Sequence, residues 1–184
     1  MKKIAMILVF AMVILSGCMA SFPAKYEPKF NVEPNFGNKE FVYADTKFLT
    51  AFKSESKDDS LKLQTLVDKK IEQWGYRREL DGKKLTITVQ NKIRNAGTMV
   101  LTSILCGLTL YLIPSVAEDG YVLTATLSQQ GKPDREFKYE TYITSYQEIV
   151  FIFWGIFAYP PKTAVWTSVE NMVDNLLYDI KQEN

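Results

Sequence analysis

Residues 121–144, YVLTATLSQQGKPDREFKYETYIT, decide the fold class of this chain. In both halves of the stretch, apolar or aromatic side chains alternate with polar ones, which is typical of strands that bury one face. The inward-facing residues are Tyr121, Leu123, Leu127, Phe137, Tyr139 and Ile143. Residues 130–134, QGKPD, separate the halves and favour a turn. The stretch therefore predicts an antiparallel β-hairpin.

The sequence on either side of the hairpin predicts further strands and two helices. Residues 85–89 alternate between apolar and polar side chains, as in a half-buried strand. Residues 59–74 and 165–180 each place their apolar side chains on one helical face, and Gly75 ends the first helix. A less regular aromatic stretch predicts another strand at residues 41–45.

The order of these elements predicts the architecture. Strand, helix, strand, hairpin and final helix imply an α+β fold, in which a mostly antiparallel sheet carries both amphipathic helices on one face. The chain of 184 residues is long enough to bury one core. We therefore expect a single domain at residues 38–184.

An uncharged segment at residues 95–117 fits this scheme poorly. As a helix it would measure about 35 Å, which is long enough to cross the hydrocarbon core of a bilayer. Its hydroxyl residues, its glycines and Pro114 argue against a span. Three interpretations stay open: a membrane span, insertion at the membrane interface, and burial in the core. Leu110 and Leu112 are the interface candidates.

A second uncharged segment, residues 149–161, is rich in aromatic residues and too short to span a bilayer as a helix. Trp154 and Tyr159 suit a membrane interface, where such rings prefer to lie. An aromatic layer of the core would use the same residues. If both uncharged segments emerge at one end of the sheet and that end faces a membrane, together they form a patch that dips into it.

The N-terminus has the three parts of a secretory signal. Two lysines precede an apolar run at residues 4–15, and the small residues Ser16 and Gly17 follow it. The run is shorter than the roughly 20 residues that a spanning helix needs. We therefore interpret residues 1–17 as a signal peptide and not as a permanent span.

Residues 15–18, LSGC, resemble the lipobox of bacterial membrane lipoproteins. The resemblance implies that the thiol of Cys18 receives a diacylglycerol, that a peptidase cuts before this residue, and that the new amino terminus is acylated, as with palmitate. Two or more acyl chains hold a protein stably on a membrane. Residues 18–37 contain spaced prolines and no helical pattern, so we expect them to form an extended tether.

The same resemblance implies a location in the bacterial cell envelope. In a host with two membranes, Met19 is not the aspartate that usually marks retention at the inner membrane. The anchor is then expected in the outer membrane, with the domain facing the periplasm. In a host with one membrane, it is expected in the outer leaflet of the cytoplasmic membrane.

The composition argues against much catalytic and binding chemistry. The chain has no histidine, which removes the commonest general base and most zinc sites. Its 22 basic and 21 acidic residues leave no basic footprint for nucleic acid. Nucleotide-binding glycine motifs are missing from the sequence. We therefore expect no catalytic residue, no metal, no cofactor and no nucleic-acid partner.

The remaining candidate side chains have structural interpretations. The adjacent carboxylates of Asp58 and Asp59, and those of Glu118 and Asp119, suit a helix cap or a turn. Cys106 lies among apolar residues, which favours a buried and inert thiol.

The order of elements resembles that of small α+β envelope lipoproteins. Our first hypothesis is a non-catalytic, lipid-anchored lipoprotein that acts as an adaptor or accessory subunit of a membrane or periplasmic assembly. One alternative is a carrier of lipid or of another apolar ligand, with the aromatic residues lining a pocket. A further alternative is an envelope enzyme without histidine chemistry.

Overall fold

The computed structural model describes residues 19–23, 42–76, 83–109, 113, 115–129, 131–147 and 161–182. In this part of the chain, the strands are β1 (Met19–Pro23), β2 (Val42–Leu49), β3 (Lys83–Arg94), β4 (Ser115–Ser128) and β5 (Arg135–Gln147). The helices are α1 (Lys57–Gln73), α2 (Ala96–Leu108) and α3 (Pro161–Gln182). The strands form one five-stranded sheet in the order β1-β5-β4-β3-β2.

The predicted α+β fold with a mostly antiparallel sheet is confirmed. Strands β4 and β5 are neighbours in the sheet and form the predicted hairpin. The amide of Lys132 donates to the carbonyl of Gln129 at 3.0 Å to close its turn, and Gly131 takes a φ of 79° that suits glycine. Helices α1 and α3 are the two predicted helices. Helix α2 lies within the uncharged segment at residues 95–117 and adds a third.

One pair of neighbouring strands is parallel. Strand β2 pairs with β3 from Val42 opposite Lys83 to Leu49 opposite Gln90. Parallel neighbours require a crossover connection, because the chain must return to the same end of the sheet. Helix α1 provides this crossover between the two strands. The sheet is therefore mixed, with β2 at one edge.

Helix α1 covers backbone groups along the outer edge of β2. The Ser60 hydroxyl oxygen accepts a hydrogen bond from the Phe48 amide at 2.9 Å, and the Gln64 side-chain amide donates to the Ala44 carbonyl at 3.2 Å. The Ser56 amide donates to the Phe48 carbonyl at 2.9 Å. An open strand edge is a template for pairing with another chain. These contacts occupy edge groups of Ala44 and Phe48, which are then unavailable to another strand.

The chain divides into two compact units. The first unit comprises Met1–Ala24, Ile93–Asp119 and Ile143–Val165, and the second unit comprises Lys25–Lys92, Gly120–Tyr142 and Trp166–Asn184. The predicted extent of a domain at residues 38–184 stays a prediction.

The second unit buries its core between α1, α3 and one face of the sheet. Its most deeply buried side chains are Leu63, Val67, Ile71, Leu85, Ile87, Leu123, Met172, Leu176, Leu177 and Ile180. The opposite face of these strands carries exposed polar residues, such as Lys84, Thr124 and Glu140. An antiparallel sheet commonly buries one face and leaves the other in water. This arrangement explains the alternation in the sequence.

A polar clamp joins α1 to α3 in the second unit. The Lys70 ammonium lies 2.7 Å from a carboxylate oxygen of Asp174 and 2.7 Å from one of Glu170. The other Asp174 oxygen accepts from the Trp74 indole N–H at 3.0 Å, and the Trp74 ring meets Tyr178 edge-on. Burial lowers the pKa of Lys70, but hydrogen bonds and charge attraction to Asp174 and Glu170 outweigh burial and raise it above its usual value. Lys70 therefore stays charged inside the clamp.

We expect Asp174→Ala to lower the free energy of unfolding by about 2–3 kcal/mol, because it leaves Lys70 and Trp74 without their shared acceptor. Glu170→Gln is the matched control, since the Glu170 side chain is 43% exposed. Exposed ion pairs contribute less than about 1 kcal/mol, so the control should lose little. Urea unfolding followed by circular dichroism measures both variants, and equal losses would contradict the assigned role of Asp174.

Candidate functional site

The residues predicted to contact lipid lie outside the part of the chain that the structure describes. These residues are Cys18, Leu110, Leu112, Trp154 and Tyr159. Their roles stay predictions. The segment at residues 149–161 is outside the described residues as far as residue 160. The segment at residues 95–117 is described except for residues 110–112 and 114, and it supplies the candidate site.

Helix α2 has an unusual composition for an exposed helix. Its sequence, AGTMVLTSILCGL, contains no charged residue, and neither end carries a side-chain charge that would complement the helix dipole. At 1.5 Å per residue, 13 residues make a helix of about 20 Å. The N-cap residue, Asn95, has a left-handed φ of 52° and does not cap the helix with its side chain.

The described helices include none with the length and apolarity to cross a membrane.

Polar contacts join the inward side of α2 to the start of β4. The Thr102 hydroxyl oxygen accepts from the Val116 amide at 3.2 Å, and the Ser103 and Ser115 hydroxyls are 2.9 Å apart. Before the helix, the Asn95 side-chain amide donates to Glu118 at 2.9 Å. Cys106 is the one helix residue that is fully buried, at 2% exposure, in agreement with the predicted buried thiol.

The outward side of α2 is a continuous apolar surface, which we call the outward face. It consists of Val100, Leu101, Ile104, Leu105 and Leu108, whose exposed fractions are 55%, 59%, 54%, 38% and 77%. With 3.6 residues per turn, these five positions fall within an arc of about 140° around the helix axis. Cys106 and Thr102 lie on the opposite side. The interpretation of residues 95–117 as part of the core is therefore wrong for α2, whose large aliphatic side chains are exposed.

The outward face can bind an apolar surface and has no means of acid–base or nucleophilic chemistry. All five side chains are hydrocarbon, without a donor, an acceptor or a charge. Ile113, which follows the helix, is also 44% exposed. Contiguous apolar patches on a protein surface mark sites of contact with proteins, membranes or ligands. The arrangement thus favours binding over catalysis.

Only one of the two carboxylate pairs has the structural role that the sequence predicts. Asp58 and Asp59 lie in the first turn of α1, where Ser56 caps the helix and donates to Asp59 at 2.7 Å. Glu118 and Asp119 lie inside β4, so their prediction as a cap or turn is wrong. Residues 118–120, EDG, interrupt the alternation of apolar residues, so the sequence pattern does not reveal this part of the strand. Among the described residues, no group of acidic or thiol side chains is arranged to hold a metal ion.

We expect Thr102→Val to loosen α2 without unfolding the protein, because valine keeps the shape of threonine but leaves the Val116 amide without its acceptor. Losing one such hydrogen bond should lower the free energy of local opening by about 1–2 kcal/mol. Hydrogen exchange of the amides in Ala96–Leu108 measures this opening. Thr98→Val is the control, since Thr98 is exposed. Unchanged exchange in the Thr102 variant would contradict the role of this contact.

Burial raises the pKa of Asp119 above its usual value. A raised carboxyl pKa means that folding favours the protonated form, so this contribution to stability is present below about pH 4 and is lost as the pH rises through the raised pKa. We therefore expect Asp119→Asn to raise the melting temperature at pH 7 and to match wild type in acid. Asp134→Asn, in the exposed hairpin turn, is the matched control for the amide substitution. The same difference in melting temperature between Asp119→Asn and wild type at every pH would contradict the prediction.

The chain matches no protein-family model, and no curated protein matches it. Six chains of solved structures are similar to it. One is the crystal structure of the rare lipoprotein B from Shewanella oneidensis, with 12% sequence identity, a TM-score of 0.38, and coverage of 78% of this chain and 92% of that chain. Another is a PelC dodecamer from Paraburkholderia phytofirmans, with 9% identity, a TM-score of 0.35, and coverage of 87% and 97%. At these TM-scores, neither similarity carries an argument about this chain.

Proposed function

We propose that this protein is a lipid-anchored lipoprotein of the bacterial cell envelope that acts, without catalysis, as an adaptor or accessory subunit of a membrane or periplasmic assembly. The anchor is the acylated Cys18. The signal-like residues 1–17 and the LSGC pattern support the anchor. In a host with two membranes, the proposed site of anchoring is the outer membrane, with the folded part in the periplasm.

The position of β1 is the observation that carries this proposal. Met19 lies opposite Gln147 and Pro23 opposite Ile143, so the strand begins at the residue that follows Cys18. The buried Ser21 hydroxyl lies 2.8 Å from that of Ser145 and ties the two strands together. The expected tether at residues 18–37 is thus a strand at residues 19–23, while residues 24–37 lie outside the described residues. An acyl chain on Cys18 would therefore be attached one residue before the sheet begins.

The non-catalytic part of the proposal is supported by the ion pairs and hydrogen bonds that polar side chains make within the fold. Lys70 and Asp174 join two helices, and the Tyr139 hydroxyl donates to Asp179 at 2.6 Å, joining β5 to α3. These contacts stabilise the fold and leave their groups committed to each other. The sequence contributes no histidine, and the outward face of α2 contributes only hydrocarbon. The carrier and enzyme alternatives stay hypotheses.

Intact mass and membrane fractionation test the anchor. Wild-type protein extracted from membranes should begin at Cys18 and carry the mass of its acyl chains. Cys18→Ala should lack this mass and keep residues 1–17, because its lipobox has lost the cysteine. Cys106→Ala is the matched control: it removes the other thiol and should be acylated like wild type.

Two results would contradict the proposal. An unmodified Cys18 in membrane-extracted wild-type protein would remove the anchor. Specific turnover of a substrate by the purified protein, lost on a point substitution that preserves the fold, would remove the non-catalytic role. The adaptor role further requires that the acylated chain, extracted in mild detergent, migrates in a stable complex with a second protein.

A further inference from the structure

We propose that the outward face of α2 inserts into the interfacial layer of the same bilayer that holds Cys18, and so forms a second, non-covalent membrane contact. This inference rests on the proposed anchor. It assigns a lipid surface as the occupant of Val100, Leu101, Ile104, Leu105 and Leu108.

The first argument is that the outward face is exposed and that the described hydrogen bonds of α2 do not involve its side chains. An amphipathic helix on a protein surface normally turns its apolar side inward and its polar side to water. Helix α2 departs from this rule, since its large aliphatic side chains point outward, while Thr102 and Ser103 contact the start of β4. The face is therefore available to an external apolar surface while the helix stays attached to the sheet.

The second argument is the place of α2 in the chain. The first unit contains β1, α2, the first residues of β4 and the last residues of β5. Strand β1 begins one residue after Cys18, and consecutive Cα atoms are about 3.8 Å apart. An anchor at Cys18 therefore brings the bilayer to the unit that carries the outward face. A soluble partner or a second copy of the chain would have to compete with lipid that is already there.

The third argument is the chemistry of insertion. A helix that lies in the interface buries its apolar face about 5–10 Å into the boundary between head groups and acyl chains. The outward face needs no ion pair to enter that layer, because α2 has no charged residue whose desolvation would oppose insertion. Aliphatic side chains on one side and hydroxyl groups on the other match a helix lying parallel to the membrane surface.

Depth-dependent fluorescence quenching in full-length acylated protein tests the inference. In a Cys106→Ala background, an environment-sensitive dye is attached at Ile104→Cys on the outward face or, as the matched control, at Lys132→Cys in the exposed hairpin turn. The acylated thiol of Cys18 does not react. Each protein is reconstituted into phosphatidylethanolamine and phosphatidylglycerol vesicles that contain lipids with a nitroxide near the head group or deep in the acyl chain.

We expect several-fold stronger quenching at position 104 than at position 132, and the nitroxide near the head group should quench more than the deep one. Equal quenching at the two positions would overturn the inference. A blue-shifted dye at position 104 without quenching by either lipid would also overturn it, because a protein surface would then cover the face. Unchanged melting temperatures show that the labelled variants are folded.

Failure of the anchor and failure of the second contact give different results. If intact mass shows no lipid on Cys18, the proposed function fails, and the same dye measurement is made in Cys18→Ala protein mixed with the vesicles. Stronger quenching at position 104 than at position 132 in that protein supports membrane contact by α2 without an acyl chain on residue 18. If Cys18 is acylated and position 104 is not quenched, the anchor stands and the inference about α2 is wrong.

Discussion

The burial of one face of the sheet under α1 and α3 is the constraint on which the second unit depends. Leu85 and Ile87 from β3, Leu123 from β4, and Leu176 and Leu177 from α3 all enter this layer. Each fully buried aliphatic side chain contributes about 1.5–3 kcal/mol, so the layer outweighs any single polar contact. The parallel pairing of β2 with β3 follows from it, because α1 must cross this face between the two strands. The clamp of Lys70, Trp74 and Asp174 then fixes how α1 and α3 meet.

Helix α2 is attached to its neighbouring strand in a different way. The hydroxyl groups of Thr102 and Ser103 join it to β4, and the outward-facing aliphatic side chains take no part in these contacts. Hydrogen bonds between neutral groups contribute about 1 kcal/mol each and depend on exact geometry. Such contacts orient a helix well but hold it less strongly than an apolar layer does. The second unit is thus organised around a buried apolar layer, whereas α2 keeps its large aliphatic side chains exposed.

The sequence predicts the second unit well because its signals are local. Alternation locates Leu85, Ile87 and Val89, and the helical spacing of the apolar residues locates α1 and α3. Strand β1 is missed because its pairing partner lies far along the chain and Pro23 suggests an extended tether. The extension of β4 to Ser115 is missed because Glu118 and Asp119 break the alternation.

The uncharged segment at residues 95–117 shows a further reason why prediction from sequence is incomplete. The spacing of Val100, Leu101, Ile104, Leu105 and Leu108 marks one side of a helix, and this signal is present in the sequence. Spacing alone does not say whether that side faces the core. The answer depends on Thr102 and Ser103 meeting Val116 and Ser115, and these are tertiary contacts that composition does not encode.

The pairing of β1 with β5 has a consequence for the order of events during biogenesis. The contact between Ser21 and Ser145 spans 124 positions of sequence, so this strand can pair only after the chain has emerged as far as β5. Closing so long a loop costs more chain entropy than forming the β4–β5 hairpin, which places the N-terminal strand late in folding. Strand β1 is therefore expected to stay unpaired while the β4–β5 hairpin forms. If Cys18 is acylated as proposed, the strand expected to join the sheet last is the one that starts next to the lipid.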